Sequence, residues 1–465
     1  MAYRILDTPL GPVRGTLRAA SAIYRGIPFA TAERFEKPVL VGDFAPFADF
    51  DGVLDATGPE WDCYQLSSFT DERTANPVTA FYKKEFRDAD REVLYCEDVM
   101  SLTVVTPLEK ADAPLPVLCF IHGGGFETGE VGELPYGDTE EYARRGLIYV
   151  SLGHRLNVFS LYESGNYGLH DMVAGIRWLH DNIAAFGGDP ARITLIGQSA
   201  GAMSITDLLL TKCLDGLVCG AICMSGGGAL PRFVPPLDKE DSAPFWAEVR
   251  RQAGCATEEE IRAVDPETLW RAWYETAYHS KFASLSTKTP GMDGEIIPDL
   301  PGRCEKKKLD LGIPLIFGMT SQDFMTVLVY ELALKRGLRA ERIGYPPLWA
   351  YFFDHTLPGG SFKAFHACDL WYMFGNMEKS WRPFDEEDRA LSERMIDYAA
   401  NFAKTGDPNG PASDGGELPE WKSIGRRRKG FMRFDVAGGD KRRYAYPAEC
   451  RFKALRAMLW DKGPM

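Results

Sequence analysis

Two short stretches of this chain combine residue types and spacing that could do chemistry. The first is Gly197-Gln198-Ser199-Ala200-Gly201, the one G-x-S-x-G in the sequence. It stands between an apolar run rich in β formers, RITLIG at 192–197, and SAGAMSITDLLLT at 199–211, which has helical spacing. A turn this sharp would strain the serine backbone, and glycines on both sides remove Cβ groups that would clash. The hydroxyl is then pushed out above the strand's carboxyl end, and the helix N-terminus beneath it favours negative charge nearby. Alone the pattern carries little weight, because 46 glycines in 465 residues make chance matches common. A serine N-cap with glycine punctuation is the plain alternative.

The second stretch, His122-Gly123-Gly124-Gly125-Phe126, is far rarer by composition and also follows an apolar run, LPVLCFIH at 115–122. Acyl transfer develops a negative oxygen on the attacked carbonyl, and bare glycines let backbone N–H groups approach it. Gly124, Gly125 and the Ala200 N–H are the expected oxyanion donors. A phosphate cradle fits worse, since no G-x-x-x-x-G-K-[ST] occurs and the chain is acidic.

A serine hydroxyl needs a base. Seven histidines are available: His122, His154, His170, His180, His279, His355 and His366. Where a serine sits on such a turn, its partners follow in the order acid, then histidine. That leaves His279, His355 and His366, with Asp323 as an acid just beyond the apolar run IPLIFGMT at 313–320. His355 is joined directly to its strand. His366 lies on a Gly-rich loop (LPGGSFKAFHA) free to reach back, which favours it while leaving His355 open.

The elements that must hold these residues alternate. Apolar strand-like runs at 115–122, 146–153, 192–197 and 219–226 are separated by helical patterns at 169–187 and 199–211, with further strand-like runs at 313–320 and 348–355. Buried strands alternating with helices predict an α/β fold with a large, mostly parallel central sheet flanked by helices. Residues 231–310 differ, being charged and helical in places. We expect residues 1–465 to form one such domain, with 231–310 as a helical insertion over the active site.

Composition narrows the function. Hydrophobic residues at 45% and charged residues at 26% are ordinary for a globular chain. No run of about 18 apolar residues predicts a membrane span. Net charge −13 argues against nucleic acid and anionic membranes as partners. The ten cysteines contain no CxxC pair, so neither a metal site nor a disulfide framework is expected. No signal-like apolar core opens the sequence and no Asn-x-Ser/Thr sequon occurs, which favours a cytoplasmic setting. Nothing in the pattern speaks to oligomeric state.

The sequence resembles the type-B carboxylesterases, the α/β-hydrolase branch that contains bacterial para-nitrobenzyl esterases and animal cholinesterases. The resemblance rests on RGIPFA (25–30), Arg34-Phe35, Glu97-Asp98, HGGGF (122–126) and HRLN (154–157). It continues through GNYGLHDMVAGIRWLHDNIAAFGGDPARITLIGQSAGA (165–202), MSGG (224–227), FHACDLWYMFG (365–375) and NFAKTGDPNG (401–410). It implies Ser199 as nucleophile, Asp323 as acid, His366 as base, and Gly124, Gly125 and Ala200 as oxyanion hole. It also implies ion pairs Arg34–Glu97 and Arg155–Asp171. Three departures stand out: Gln198 replaces the family's Glu, Asp323-Phe324 replaces Glu-Gly, and Val99 stands where the family's cysteine would bridge to Cys63.

The expected activity is hydrolysis of small to medium apolar carboxylic esters through an acyl-enzyme, with no cofactor. Phe126, Phe324, Trp371 and Tyr372 border the catalytic segments and are candidate pocket walls. An amide or carbamate hydrolase on the same machinery, and a non-catalytic binding protein of the same fold, are the alternatives.

Overall fold

The apolar runs become strands of one large sheet. The structure, a computed structural model, describes residues 2–65, 77–87, 93–227, 234–299, 312–323, 326–344, 346–425, 431–436 and 444–445. The main sheet takes β1 (Tyr3–Thr8), β2 (Gly11–Leu17), β3 (Ser21–Pro28), β4 (Ser101–Pro107), β5 (Leu115–Ile121) and β6 (Ile148–Leu152). It continues with β7 (Gly188–Gln198), β8 (Gly220–Met224), β9 (Leu315–Thr320), β10 (Leu348–Phe353), β11 (Phe431–Phe434) and β12 (Tyr444–Ala445). Their order across the sheet is β1-β2-β3-β4-β6-β5-β7-β8-β9-β10-β11-β12, with Leu54–Asp55 paired beside β2.

From β6 to β11 every neighbouring pair is parallel. This is the half the sequence announces, because strands covered on both faces need apolar residues at every position. Pairs at the other edge, β1–β2, β2–β3, β3–β4 and β4–β6, are antiparallel. The sheet is therefore mixed. Its first strand alternates between exposed and half-buried positions, a pattern that belongs to an edge and not to a βαβ unit.

The pleat sorts the core into two layers. Val117, Cys119 and Ile121 of β5 pack with Met172, Ile176 and Trp178 of helix Tyr167–Asn182 and with Ile205 and Leu208 of helix Ala200–Leu210. Leu118 and Phe120, pointing the other way, pack with Trp371, Phe374, Met395 and Ile396 from helices Leu370–Phe374 and Glu386–Thr405. Each fully buried large apolar side chain contributes about 1.5–3 kcal/mol, so the two layers hold the central strands rigid. The long helix Glu386–Thr405 is bounded by a capping box between Asp385 and Asp388 and by Gly406 at φ 77°.

Residues 234–299 contribute helices Lys239–Gln252, Glu258–Ala263 and Pro266–His279, each opened by a side-chain cap from Asp238, Thr257 or Asp265. Their inner faces form a third apolar cluster, in which Trp246, Trp270 and Trp273 pack against Phe35, Leu156 and Phe159. The Arg34 guanidinium pairs with Glu97 and also donates to the Ile261 carbonyl at 3.1 Å, tying the helical segment to the N-terminal strands. Among the described residues no helix is long and apolar enough to cross a membrane.

Candidate active site

The serine turn forms as its sequence demands. β7 ends at Gln198, the helix begins at Ala200, and Ser199 between them has φ 53° and ψ −120°. A non-glycine residue at positive φ costs on the order of 1–3 kcal/mol and persists because its surroundings hold it. Here the Ser199 N–H donates to the Met224 carbonyl at 2.8 Å, and the Ser199 carbonyl accepts from Met203 N–H at 3.0 Å. Gly201 is required by close approach: a Cβ there would stand 2.1 Å from the Ile121 carbonyl oxygen. That contact also brings the end of β5, and so the glycine loop, against the turn.

The loop itself is strained in the way glycine permits. Gly124 has φ 107°, and a Cβ on it would meet the Thr128 carbonyl oxygen at 1.9 Å. Gly125 has φ 66° and Phe126, the next residue, also φ 66°. A Cβ on Gly123 would lie 3.0 Å from the Ser199 Cβ, so the loop is packed directly on the serine. The far end of the loop is clamped by Gln65, which exchanges two 2.9 Å hydrogen bonds with the Gly129 backbone.

Beneath the loop lie two buried imidazoles. His122 and His154 stack at 4.4 Å with their planes 13° apart. Burial depresses both, His122 to about 3 and His154 to about 4, and for His122 the neighbouring His154 adds to the effect. Both are therefore neutral supports at ordinary pH.

Asp323 and His366 are brought together by a β-bridge between Gln322 and Phe365, with Gln322 N–H donating to the Ala364 carbonyl at 2.8 Å. The next residue on each side of the bridge completes the pair, and His366 Nδ1 donates to Asp323 Oδ2 at 2.8 Å. Asp323 is almost fully buried. Burial alone would lower the His366 pKa, but the Asp323 charge and hydrogen bond, with the charge of Asp369, raise it above the usual imidazole value. The opposite ring nitrogen, Nε2, lies 3.2 Å from the Gln198 carboxamide nitrogen, so the imidazole sits at the serine turn. His355 goes elsewhere: its Nε2 is 2.7 Å from Asp388 Oδ1, at the start of helix Glu386–Thr405. Spacing left His355 and His366 both open; of the two, His366 is the one that reaches the turn.

Of the expected pocket walls, Phe126 is nearly buried on the glycine loop. Trp371 and Tyr372 are fully buried; Tyr372 donates to Asp388 at 2.6 Å, on the His355 side. In this conformation they present no surface to a ligand. Phe324 lies outside the described residues.

Four features were not legible in the sequence. Asp369 is fully buried three residues after His366, where burial first and the nearby Asp323 charge push its carboxyl up to about 6, against the pull of the Tyr351 hydroxyl bond at 2.7 Å. Tyr82 donates to the His366 carbonyl at 3.4 Å. Glu127 accepts from Tyr278 at 2.5 Å, which links the glycine loop to helix Pro266–His279. Cys63 is paired in register with Cys96, not with position 99, and both are free thiols. Only the proximity of aspartate to histidine at 366–369 offered a signal beforehand. The framework ion pairs do form: Arg155 donates to Asp171 at 2.7 and 2.9 Å, and Arg34 pairs with Glu97.

The chain's relatives agree with this fold. A family model described as the carboxylesterase family matches residues 2–345 and 334–453. The para-nitrobenzyl esterase of Bacillus subtilis is 28% identical, over 88% of this chain and 91% of its own. The bile salt-activated lipase of Mus musculus is 26% identical, over 83% and 75%. Among solved structures, a thermophilic para-nitrobenzyl esterase superposes with a TM-score of 0.76 at 24% identity, covering 98% of this chain and all of that one. A carboxylesterase from Geobacillus stearothermophilus gives 0.70 at 25% identity over 93% and 96%. The mixed sheet, the strained serine turn and the matches along nearly the whole chain converge: this protein belongs to the carboxylesterase family and is a serine carboxylic ester hydrolase.

Proposed function

We propose that Ser199 is the nucleophile, His366 its base and Asp323 the carboxylate that orients the base. The supporting observation is the Asp323–His366 hydrogen bond of 2.8 Å, presented at the turn that carries Ser199. With Nδ1–H donated to Asp323, the neutral ring keeps its lone pair on Nε2, the nitrogen facing the turn. On attack, Ser199 Oγ forms a bond to the ester carbonyl carbon and Nε2 takes its proton. Asp323 stabilises the imidazolium. The carbonyl oxygen becomes an anion that the N–H groups of Gly124, Gly125 and Ala200 can receive, beside the N-terminus of helix Ala200–Leu210.

Collapse of this intermediate expels the alcohol, which leaves with the proton from Nε2. Water then attacks the acyl-enzyme by the same path, returning the acid product and free Ser199. The cycle calls on no metal or cofactor. The relatives are named for a para-nitrobenzyl ester and for lipase action. Small to medium apolar esters are therefore the proposed substrates. A cytoplasmic setting fits the eight described cysteines, all of them free.

Labelling by an organophosphonate, followed by peptide mapping, tests the nucleophile directly. The label is expected on Ser199. A label on any other residue, or undiminished labelling of Ser199→Ala, would overturn the assignment.

A further inference from the structure

Gln198 is nearly buried, yet its side chain meets the most reactive atom of the proposed site. Its carboxamide nitrogen is 3.2 Å from His366 Nε2. Its carboxamide oxygen points the other way, 2.6 Å from where a Cβ on Gly123 would be. The amide is therefore wedged between the imidazole and the glycine loop.

A carboxamide suits this place in a way a carboxylate does not. It donates through its NH2 to a neutral imidazole, and by turning over it accepts from an imidazolium, without adding charge in either state. Among the described residues, the charged or titratable groups that act on His366 include Asp323 on its Nδ1, Asp369 through its charge, and the Tyr82 hydroxyl on its backbone carbonyl. Asp369 keeps one carboxyl oxygen without a partner among the described residues. A third acid at position 198 would crowd this group with negative charge.

We propose that Gln198 is a positioning residue for the base. Its amide donates to His366 Nε2 in the resting site, keeps that lone pair turned toward the nucleophile, and yields to the Ser199 hydroxyl when the ester binds. Its neutrality adds no further negative charge that would hold the proton on the imidazole. The inference rests on Ser199, Asp323 and His366 acting as proposed above.

The test is the pH dependence of kcat/KM for p-nitrophenyl acetate in Gln198→Glu and Gln198→Met, beside Ser199→Ala. The added carboxylate should move the acid limb of Gln198→Glu up by about one pH unit, an approximately tenfold loss at pH 6. Gln198→Met keeps the volume without the hydrogen bond. It should lower kcat/KM about tenfold at every pH while leaving the limb in place, with most of the loss in kcat. An unmoved limb in folded Gln198→Glu would overturn the proposal. So would wild-type kinetics in Gln198→Met, which also decides the matter if Gln198→Glu does not fold. Activity in Ser199→Ala would instead remove the triad reading itself, so the two failures are distinguishable.

Discussion

Two histidine–aspartate pairs have their histidines within a dozen residues of each other along the chain, and the proposed mechanism gives them different work. His366 meets Asp323 at 2.8 Å; His355 meets Asp388 at 2.7 Å. In both, burial would lower the imidazole pKa and the carboxylate more than offsets it. The difference lies in the nitrogen left over. His366 spends Nδ1 on its aspartate and turns Nε2 to the serine turn. His355 spends Nε2, and its Nδ1 lies 3.7 Å from a second carboxylate, Asp435. Asp388 is further occupied by the Tyr372 hydroxyl and by its own capping box. A histidine bonded to an aspartate, even with a raised pKa, becomes a base only where its other nitrogen faces a nucleophile and an oxyanion cradle. Elsewhere the same chemistry is a structural tie.

The strongest way to break this contrast is to remove the proposed nucleophile. Ser199→Ala should cut turnover of a p-nitrophenyl ester by about 10⁴-fold or more, with the thermal midpoint preserved. Near-normal turnover would mean that the turn and its imidazole are not the site.

Exchanging the two pairs sharpens it further. His366→Ala is expected to lose about 10³–10⁴-fold in kcat, and Asp323→Asn a comparable amount, with folding intact. His355→Ala should leave kcat within about threefold and instead lose roughly 1–3 kcal/mol of stability, because Asp388 is left buried with one partner fewer. Denaturant melts and steady-state kinetics on the same preparations separate the outcomes, and the reverse pattern would move the base to His355.

The raised pKa of His366 has a signed consequence. As the proposed base, His366 must be neutral to act, so kcat/KM should rise with pH, and its half-rise should fall above the ordinary histidine value of about 6.5. A profile flat from pH 5 to 8 would count against His366 as base.

His122 and His154 offer a third imidazole environment and the smallest effect at neutral pH. Their folded pKa values lie below the unfolded value of 6.5, near 3 and 4. Between those values and 6.5 the unfolded chain binds more protons, so their contribution is complete above about pH 6.5 and shrinks as pH falls. Each should add a slope approaching about 1.4 kcal/mol per pH unit in that window. His154→Phe should flatten the fall in stability between pH 7 and 5 by about one histidine's share. An unchanged slope would show that other groups govern acid sensitivity.

Much of this site was written locally. The Gly-x-Ser-x-Gly turn and the glycine loop are short-range devices: each needs particular residues beside one another, directly after a buried strand. β5, β6, β7, β8, β9 and β10 were readable for the same reason, since strands covered on both faces are apolar throughout. The antiparallel edge was not, because half-exposed hairpin strands leave only a faint alternation.

What the tertiary structure alone decided is long-range. The sequence order Ser, Asp, His left His355 and His366 both open, and the bridge Gln322–Phe365 sets Asp323 beside His366. Trp371 and Tyr372 border that histidine in sequence, yet helix geometry turns them into the core. The contact of Gln198 with His366 spans 168 positions and leaves no periodicity to read. Local backbone chemistry is a property of neighbours in the chain. Which carboxylate or amide finishes beside which imidazole depends on how β9, β10 and the loops beyond them close over one another, and that is settled only when the sheet is assembled.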